Sequence, residues 1–140
     1  MKKTLTLKKT DTIRQAFELL KGQFGMIVCI IENREILSGV VSEGDLRRGV
    51  VKGYSLNNKL QDVMNKNPTY IYESELKSKK ISKSNIDLGA TMDRSLIIPV
   101  VDESKKLLYV LNTENLFEIL ENKKLRSYFS EIKNPHILVV

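Results

Sequence analysis

Ser42 and Asp45 are the residues whose type and spacing most suggest chemistry. They lie in Gly39-Val40-Val41-Ser42-Glu43-Gly44-Asp45-Leu46-Arg47-Arg48. Val40 and Val41 are β-branched and follow a glycine, as at the end of a buried strand. Ser42 then stands where a helix would begin, and Asp45 falls in its first turn. Two readings are open. In one, the pair is a capping box: the serine hydroxyl takes an N–H of the first turn and the acid reaches back to the serine N–H. In the other, the helix start is a ligand cradle. Free N–H groups and a hydroxyl would meet a phosphate, and the carboxylate would accept hydrogen bonds from the hydroxyl pair of a sugar.

The stretch recurs. Leu107-Leu108-Tyr109-Val110-Leu111-Asn112-Thr113-Glu114-Asn115-Leu116 aligns without a gap to Leu37–Leu46 at a spacing of 70 residues, Ser42 falling on Asn112. Upstream, Val28-Cys29-Ile30-Ile31-Glu32 falls on Ile98-Pro99-Val100-Val101-Asp102. Each half reads as apolar strand, acidic turn, second apolar strand, cap and helix. Repetition on this scale is stronger evidence about architecture than any single motif. The copies differ where it matters chemically. Asn115 stands in the place of Asp45, and an amide lacks the two-oxygen acceptor geometry that holds a diol. The sugar-holding carboxylate therefore exists in one copy, which favours one competent site over two.

The pattern apolar-Pro-Val-Val-Asp, a second apolar strand, then Gly-apolar-apolar-Ser/Thr-x-x-Asp, its first part in Ile98–Asp102 of the second copy and its last in Gly39–Asp45 of the first, resembles the cystathionine-β-synthase (CBS) domain, and two in tandem resemble a Bateman module. The resemblance covers residues from about 4 to 121. It implies an α/β fold of two pseudo-symmetric repeats, each with a small three-stranded sheet and two helices, packed sheet to sheet. It implies repeats at 1–64, with a linker helix, and 65–121, a tail at 122–140, and pairing into disc-like homodimers. The implied function is regulatory binding of an adenine nucleotide (AMP, ADP or ATP) or related adenosyl ligand in the cleft between repeats. Asp45 would hold the ribose hydroxyls. Ser42 and the N–H groups after it would hold phosphate, with Arg48 in reach. Ile27, Val28 and Cys29 would wall the base.

The remaining elements follow from pattern. Thr4–Lys8 alternates as a short strand. Ile13, Ala16, Phe17 and Leu20 form one helical stripe after Thr10-Asp11-Thr12. Met26–Ile31 is a continuous apolar run and Ile36–Val41 its return strand. The second helix, from about Glu43 to Lys52, turns Leu46, Val50 and Val51 inward. Leu56, Leu60, Val63 and Met64 suggest a short amphipathic linker ended by Asn67-Pro68. In the second copy Ser74–Asn85 is polar and lysine-rich. A short or irregular helix is expected there, with Lys77–Ser84 mobile and a weak apolar signal at Ile86, Leu88, Ala90 and Met92. Pro99 implies an edge, a bulge or a ligand-facing break. Its counterpart Cys29 reads as a small buried apolar residue.

The tail belongs to neither repeat. Leu125, Tyr128, Phe129 and Ile132 suggest a short helix, Asn134-Pro135 a break and Ile137–Val140 a strand. The Gly-Val-Val-Ser-x-Gly-Asp-Leu-Arg-Arg signature is similar to that of tandem modules preceding sugar-phosphate nucleotidyltransferase domains. This implies that the chain is the regulatory front end of such an enzyme, bounded before its glycine-rich nucleotide loop. A ligand-free dimerisation scaffold and the regulatory tail of a sugar-phosphate isomerase are the alternatives.

Composition bounds these readings. The 140 residues suffice for a real core, and 41% hydrophobic with 29% charged residues is ordinary for a globular chain. No apolar run reaches membrane-spanning length, and no signal-peptide core follows Met1-Lys2-Lys3. One cysteine forbids an internal disulfide and suits a reducing cytoplasm. The net charge of +6 is spread over scattered lysine pairs without a recognition helix or stacking platform, so no nucleic-acid partner is expected. His136, the sole histidine, has no partners at metal-ligand spacing, so no metal is expected. No nucleophile elbow, Cys/His cluster or phosphate-binding glycine loop marks an enzyme.

Overall fold

In the computed structural model the described residues are 4–84, 86 and 96–121. Contacts divide the chain into two compact units, Leu5–Pro68, and Thr69 onward together with Thr4. The expected tail elements and His136 lie outside the described residues, as do Leu88, Gly89, Ala90 and Met92.

The first unit runs β1 (Leu5–Leu7), α1 (Ile13–Leu20), β2 (Ile27–Glu32), β3 (Ile36–Ser42) and α2 (Glu43–Val51), then a 3-10 turn at Leu60–Asp62. Its sheet has the order β1-β2-β3. β2 is central, parallel to β1 and antiparallel to β3. Its apolar run is explained by that position: Val28, Cys29 and Ile30 are fully buried. α1 covers the core with Ile13, Ala16 and Leu20. Thr12 and Gln15 close a reciprocal cap at its start, at 3.2 and 2.8 Å.

The second unit repeats the topology with β4 (Ile71–Tyr72), α3 (Glu73–Ser78), β5 (Ile97–Val101), β6 (Leu107–Asn112) and α4 (Thr113–Glu121), in the sheet order β4-β5-β6. The 70-residue repeat is visible in the strand register. Ile27 faces Ser42 and Ile97 faces Asn112; Cys29 faces Val40 and Pro99 faces Val110. Even the bulge recurs, between Ile30 and Ile31 and between Val100 and Val101. Pro99 therefore sits in a central strand, not at an edge. β4 pairs only from Val100 onward, so on that side the missing proline N–H leaves no ladder bond unmade.

The units diverge ahead of the central strand. Leu7 pairs with Ile30 after 23 residues, whereas Ile71 pairs with Val100 after 29. The described part of the longer connection, residues 73–84, is not the loose segment its composition suggests. Glu75 is buried. One carboxylate oxygen accepts from the Tyr72 N–H at 3.1 Å. The other accepts from the N–H groups of Ser82, Lys83 and Ser84 at 2.7, 2.9 and 3.3 Å. Burial alone would raise the Glu75 pKa, but the four backbone donors outweigh it and hold it below the ordinary value. A single buried acid thus pins a lysine-rich loop against a core of Ile71, Leu76, Ile98, Val100, Leu111, Leu116 and Ile119.

Two more expectations are corrected. Val50 and Val51 are exposed, and the buried positions of α2 are Leu46 and Gly49. The linker forms no α-helix; Leu60 is buried within the 3-10 turn, and Asn65 forms an isolated bridge with Val40 on the outer edge of β3. That bridge is why position 39 is glycine. A Cβ there would meet the Asn65 carbonyl oxygen at 2.8 Å and the Met64 sulfur at 3.2 Å. In the second unit the equivalent position holds Tyr109, buried, with its hydroxyl donating to Glu73 at 3.1 Å.

Gly39→Ala is expected to destabilise the first unit by about 1–3 kcal/mol, read as a lower denaturant midpoint; an unchanged midpoint would refute the close-packing account. Because the Glu75 pKa is lowered on folding, its contribution is complete above the unfolded carboxylate value and is lost as pH falls through the folded one. Glu75→Gln should therefore lower stability at pH 7 by about 2 kcal/mol and flatten the loss of stability below about pH 4.3. A parallel acid profile in both proteins would exclude this role.

Candidate functional site

β3 passes into α2 without a loop: Ser42 ends the strand and Glu43 begins the helix. Ser42 is extended, at φ −103° and ψ 167°, which aims its side chain at the first helical turn. The Asp45 N–H donates to Ser42 Oγ at 3.1 Å, and the Ser42 N–H donates to Asp45 Oδ2 at 2.9 Å. The capping box is thus fully formed. The other carboxylate oxygen, Oδ1, accepts from Arg48 Nη2 at 2.6 Å. Arg47 lies on a different side of the helix and pairs with Glu43 at 2.7 Å.

Asp45 and Arg48 line a recess of about 150 Å³ with Gly49, Lys52, Tyr54, Asp62 and Val63. Asp45, Arg48, Gly49 and Lys52 share one helical face by their spacing of three and four, a signal readable in the sequence. Tyr54, Asp62 and Val63 come from the segment after the helix and carry no such signal. Gly49 lets that segment approach, since a Cβ would meet Val63 at 2.6 Å. At the mouth of the helix, Gly44 leaves a gap that a Cβ would fill at 3.3 Å from the Arg48 guanidinium.

The structure brings Ser42, Asp45 and Arg48 together. It places Ile27 half-buried opposite Ser42 at the start of β2. Val28 and Cys29 are different. Their side chains have no exposed surface, and they sit between β1 and β3, so neither side chain offers a ligand a wall in this arrangement. Burial pushes the Cys29 thiol pKa up to about 12. In the second unit Asn112 caps α4 through its side-chain oxygen, which accepts from the Asn115 N–H at 2.7 Å.

A larger groove, about 380 Å³, is lined by Phe17, Leu20, Lys21, Phe24 and Glu43 among others, and contains neither Ser42 nor Asp45. Among the described residues no group of three or more His, Cys, Asp or Glu could hold a metal. Nor is any helix among them long and apolar enough to cross a membrane.

Residues 1–52 match the CBS domain family profile. Solved structures carry the likeness across both units. Staphylococcus aureus OpuCA is 16% identical with a TM-score of 0.62, over 86% of this chain and 93% of that one. A CBS domain protein from Pyrobaculum aerophilum complexed with AMP is 17% identical with a TM-score of 0.58, over 93% of each chain. The fold is that of a CBS-domain pair. The CBS domain pair of protein MJ0100, in complex with 5′-methylthioadenosine and S-adenosyl-L-methionine, is 16% identical with a TM-score of 0.60, over 89% of this chain and 93% of that one. No curated protein matches the sequence. The first unit thus carries both the profile match and the carboxylate.

Cys29 is expected to resist thiol reagents at pH 8 in the folded protein and to react at an ordinary rate once the chain is unfolded. Rapid labelling of the native protein would show that β2 is open.

Proposed function

We propose that this chain is a regulatory module that binds an adenine nucleotide at the α2 start of its first CBS unit and carries no catalysis of its own. The observation that carries the reading is Asp45. It is a carboxylate 22% exposed at the mouth of a recess, beside a serine-capped helix start whose N–H groups favour an anion. In the second unit that position is Asn115. Proteins of the same fold bearing AMP, 5′-methylthioadenosine and S-adenosyl-L-methionine support an adenosyl ligand. In this reading Asp45 takes the ribose hydroxyls, Ser42 and Arg48 face the phosphate, and Ile27 borders the base. Val28 and Cys29 contribute through the strand they build, since their side chains are enclosed.

The output is a bias on an attached domain, which we take to be a sugar-phosphate nucleotidyltransferase on the strength of the Gly-Asp-Leu-Arg-Arg signature. Such a bias arises only through different affinities of the ligand for two arrangements of the protein. Cytoplasmic homodimers complete the proposal.

One observation favours a second reading, a ligand-free scaffold. Both oxygens of Asp45 already have partners, so the pair satisfies the capping box as it stands. Titration of AMP, ADP and ATP into the wild type and Asp45→Ala separates the two. We expect Asp45→Ala to keep its fold and to weaken nucleotide binding by about 1–3 kcal/mol. Equal affinity in the two proteins, or no change in melting temperature at millimolar nucleotide, would establish the scaffold instead.

A further inference from the structure

The recess beside Asp45 is too small for a nucleotide. It encloses about 150 Å³, whereas sites that bury ligands of that size start at about 300 Å³. One wall must give. α2 is fixed, because Leu46 and Gly49 seat it on the core. The opposite wall is Tyr54, Asp62 and Val63, which belong to the segment running from the end of α2 to Pro68.

That segment is held unequally along its length. Its first part is tied to the start of α1. The Ile13 and Arg14 N–H groups donate to the Asn58 and Leu56 carbonyls, each at 2.9 Å. The Leu60 and Gln61 N–H groups donate to the Asp11 and Lys9 carbonyls at 2.8 and 3.0 Å. Leu60 is fully buried and anchors this part. Past Leu60, among the described residues, the backbone is tied to the sheet by the Val40–Asn65 bridge, two hydrogen bonds of 3.1 and 2.9 Å. Val63 and Asn65 rest in the space left by Gly49 and Gly39, and neither glycine has a side chain to interlock with them.

We infer that residues 62–68 are a latch over the Asp45 recess, and that a nucleotide is admitted by release of the Val40–Asn65 bridge. The inference rests on the nucleotide reading above and adds how occupancy of that site leaves the first unit. Residues 62–68 run directly into Thr69, where the second unit begins. Release therefore frees the connecting chain while the anchor at Leu60 and the sheet stay intact. Two backbone hydrogen bonds are a modest cost, which a ligand that binds the open form offsets. The latch also goes with the carboxylate. Gly39, which admits Asn65, is replaced by Tyr109 in the second unit, and Asp45 by Asn115.

The experiment is residue-resolved amide exchange on the full chain with and without AMP, with AMP affinity measured for the wild type, Asp45→Ala and two latch variants. Saturating AMP should speed exchange of the Val40 and Asn65 amides by roughly tenfold, while Leu60 and Gln61 keep their protection. Asn65→Pro removes the donor of the bridge, and Gly39→Ala drives a methyl group against the Asn65 carbonyl. Each should tighten AMP by about three- to tenfold, because the opening no longer has to be driven by the ligand. A merely structural role would weaken binding instead. Slower or unchanged exchange at Val40 and Asn65 in the AMP-bound wild type overturns the latch, whether or not the variants fold. So does weaker AMP binding in either folded variant, or faster exchange that includes Leu60 and Gln61. A wild type that binds no AMP overturns the nucleotide reading, and the inference falls with it. AMP binding that Asp45→Ala weakens but that leaves exchange at the bridge unchanged sinks only the inference.

Discussion

Every α-helix begins with N–H groups that have no partner inside the helix, and this chain is organised around meeting that demand close to its strands. α2, α3 and α4 follow β3, β4 and β6 with no intervening residue, so there is no loop in which the orphan donors could find other partners. The solution differs each time. Ser42 and Asp45 close on one another. Glu75 takes the Tyr72 N–H and three more from a loop. Asn112 caps α4 with its own side-chain oxygen. Among the described helices only α1, set apart from its strand by Lys8–Thr12, has space for a separate turn, and there Thr12 and Gln15 make the reciprocal pair. The direct strand-to-helix passage leaves the cap residues of α2 at the end of the sheet, half-buried rather than enclosed.

Duplication and divergence are both written into the register. The antiparallel pair of each unit matches residue for residue at 70, including the bulge, because facing apolar side chains fix the pairing and a slip of one residue would turn the core face outward. Positions freed from that constraint have changed. Gly39 admits the Val40–Asn65 bridge while Tyr109 fills the same place with a ring. Cys29 pairs on both sides while Pro99 sits just before β4 begins. These substitutions follow what lies against the sheet in each unit rather than any shared function.

The strands, the repeat and the α2 cap were legible in the sequence because they rest on local patterns: apolar runs, β-branched residues and a serine three residues before an acid. What escaped was set by contacts distant in sequence. Val50 and Val51 have the composition of core residues, yet Gly49 is the buried position because Val63 packs there. The lysine-rich stretch after Tyr72 lacks the apolar stripe of a stable helix. Its order comes from Glu75, which in sequence is indistinguishable from a surface acid. Cys29 and Val28 belong to the right strand for a site, but a central strand encloses its side chains. Tyr54 and Asp62 line the recess through the course of the segment after α2, which no periodicity announces.

The caps also bear on why Asp45 is an acid. If capping were its whole task, a neutral side chain would serve, since Gln15 accepts the Thr12 N–H at 2.8 Å in the same reciprocal geometry. α4 is capped by the neutral amide of Asn112, which accepts from the Asn115 N–H, and position 115 carries no charge. Glu75 needs its charge, because it is buried and holds four donors. Asp45 does not meet that condition: its backbone partner is a single N–H, and its remaining oxygen is turned toward a solvent-exposed guanidinium. A carboxylate at the first turn gains some stabilisation from the helix dipole, but Glu43 already supplies a charge there. The second oxygen of Asp45 is therefore surplus to the fold. It is held by a weak, exposed partner, which is what the proposed nucleotide site requires of its acceptor.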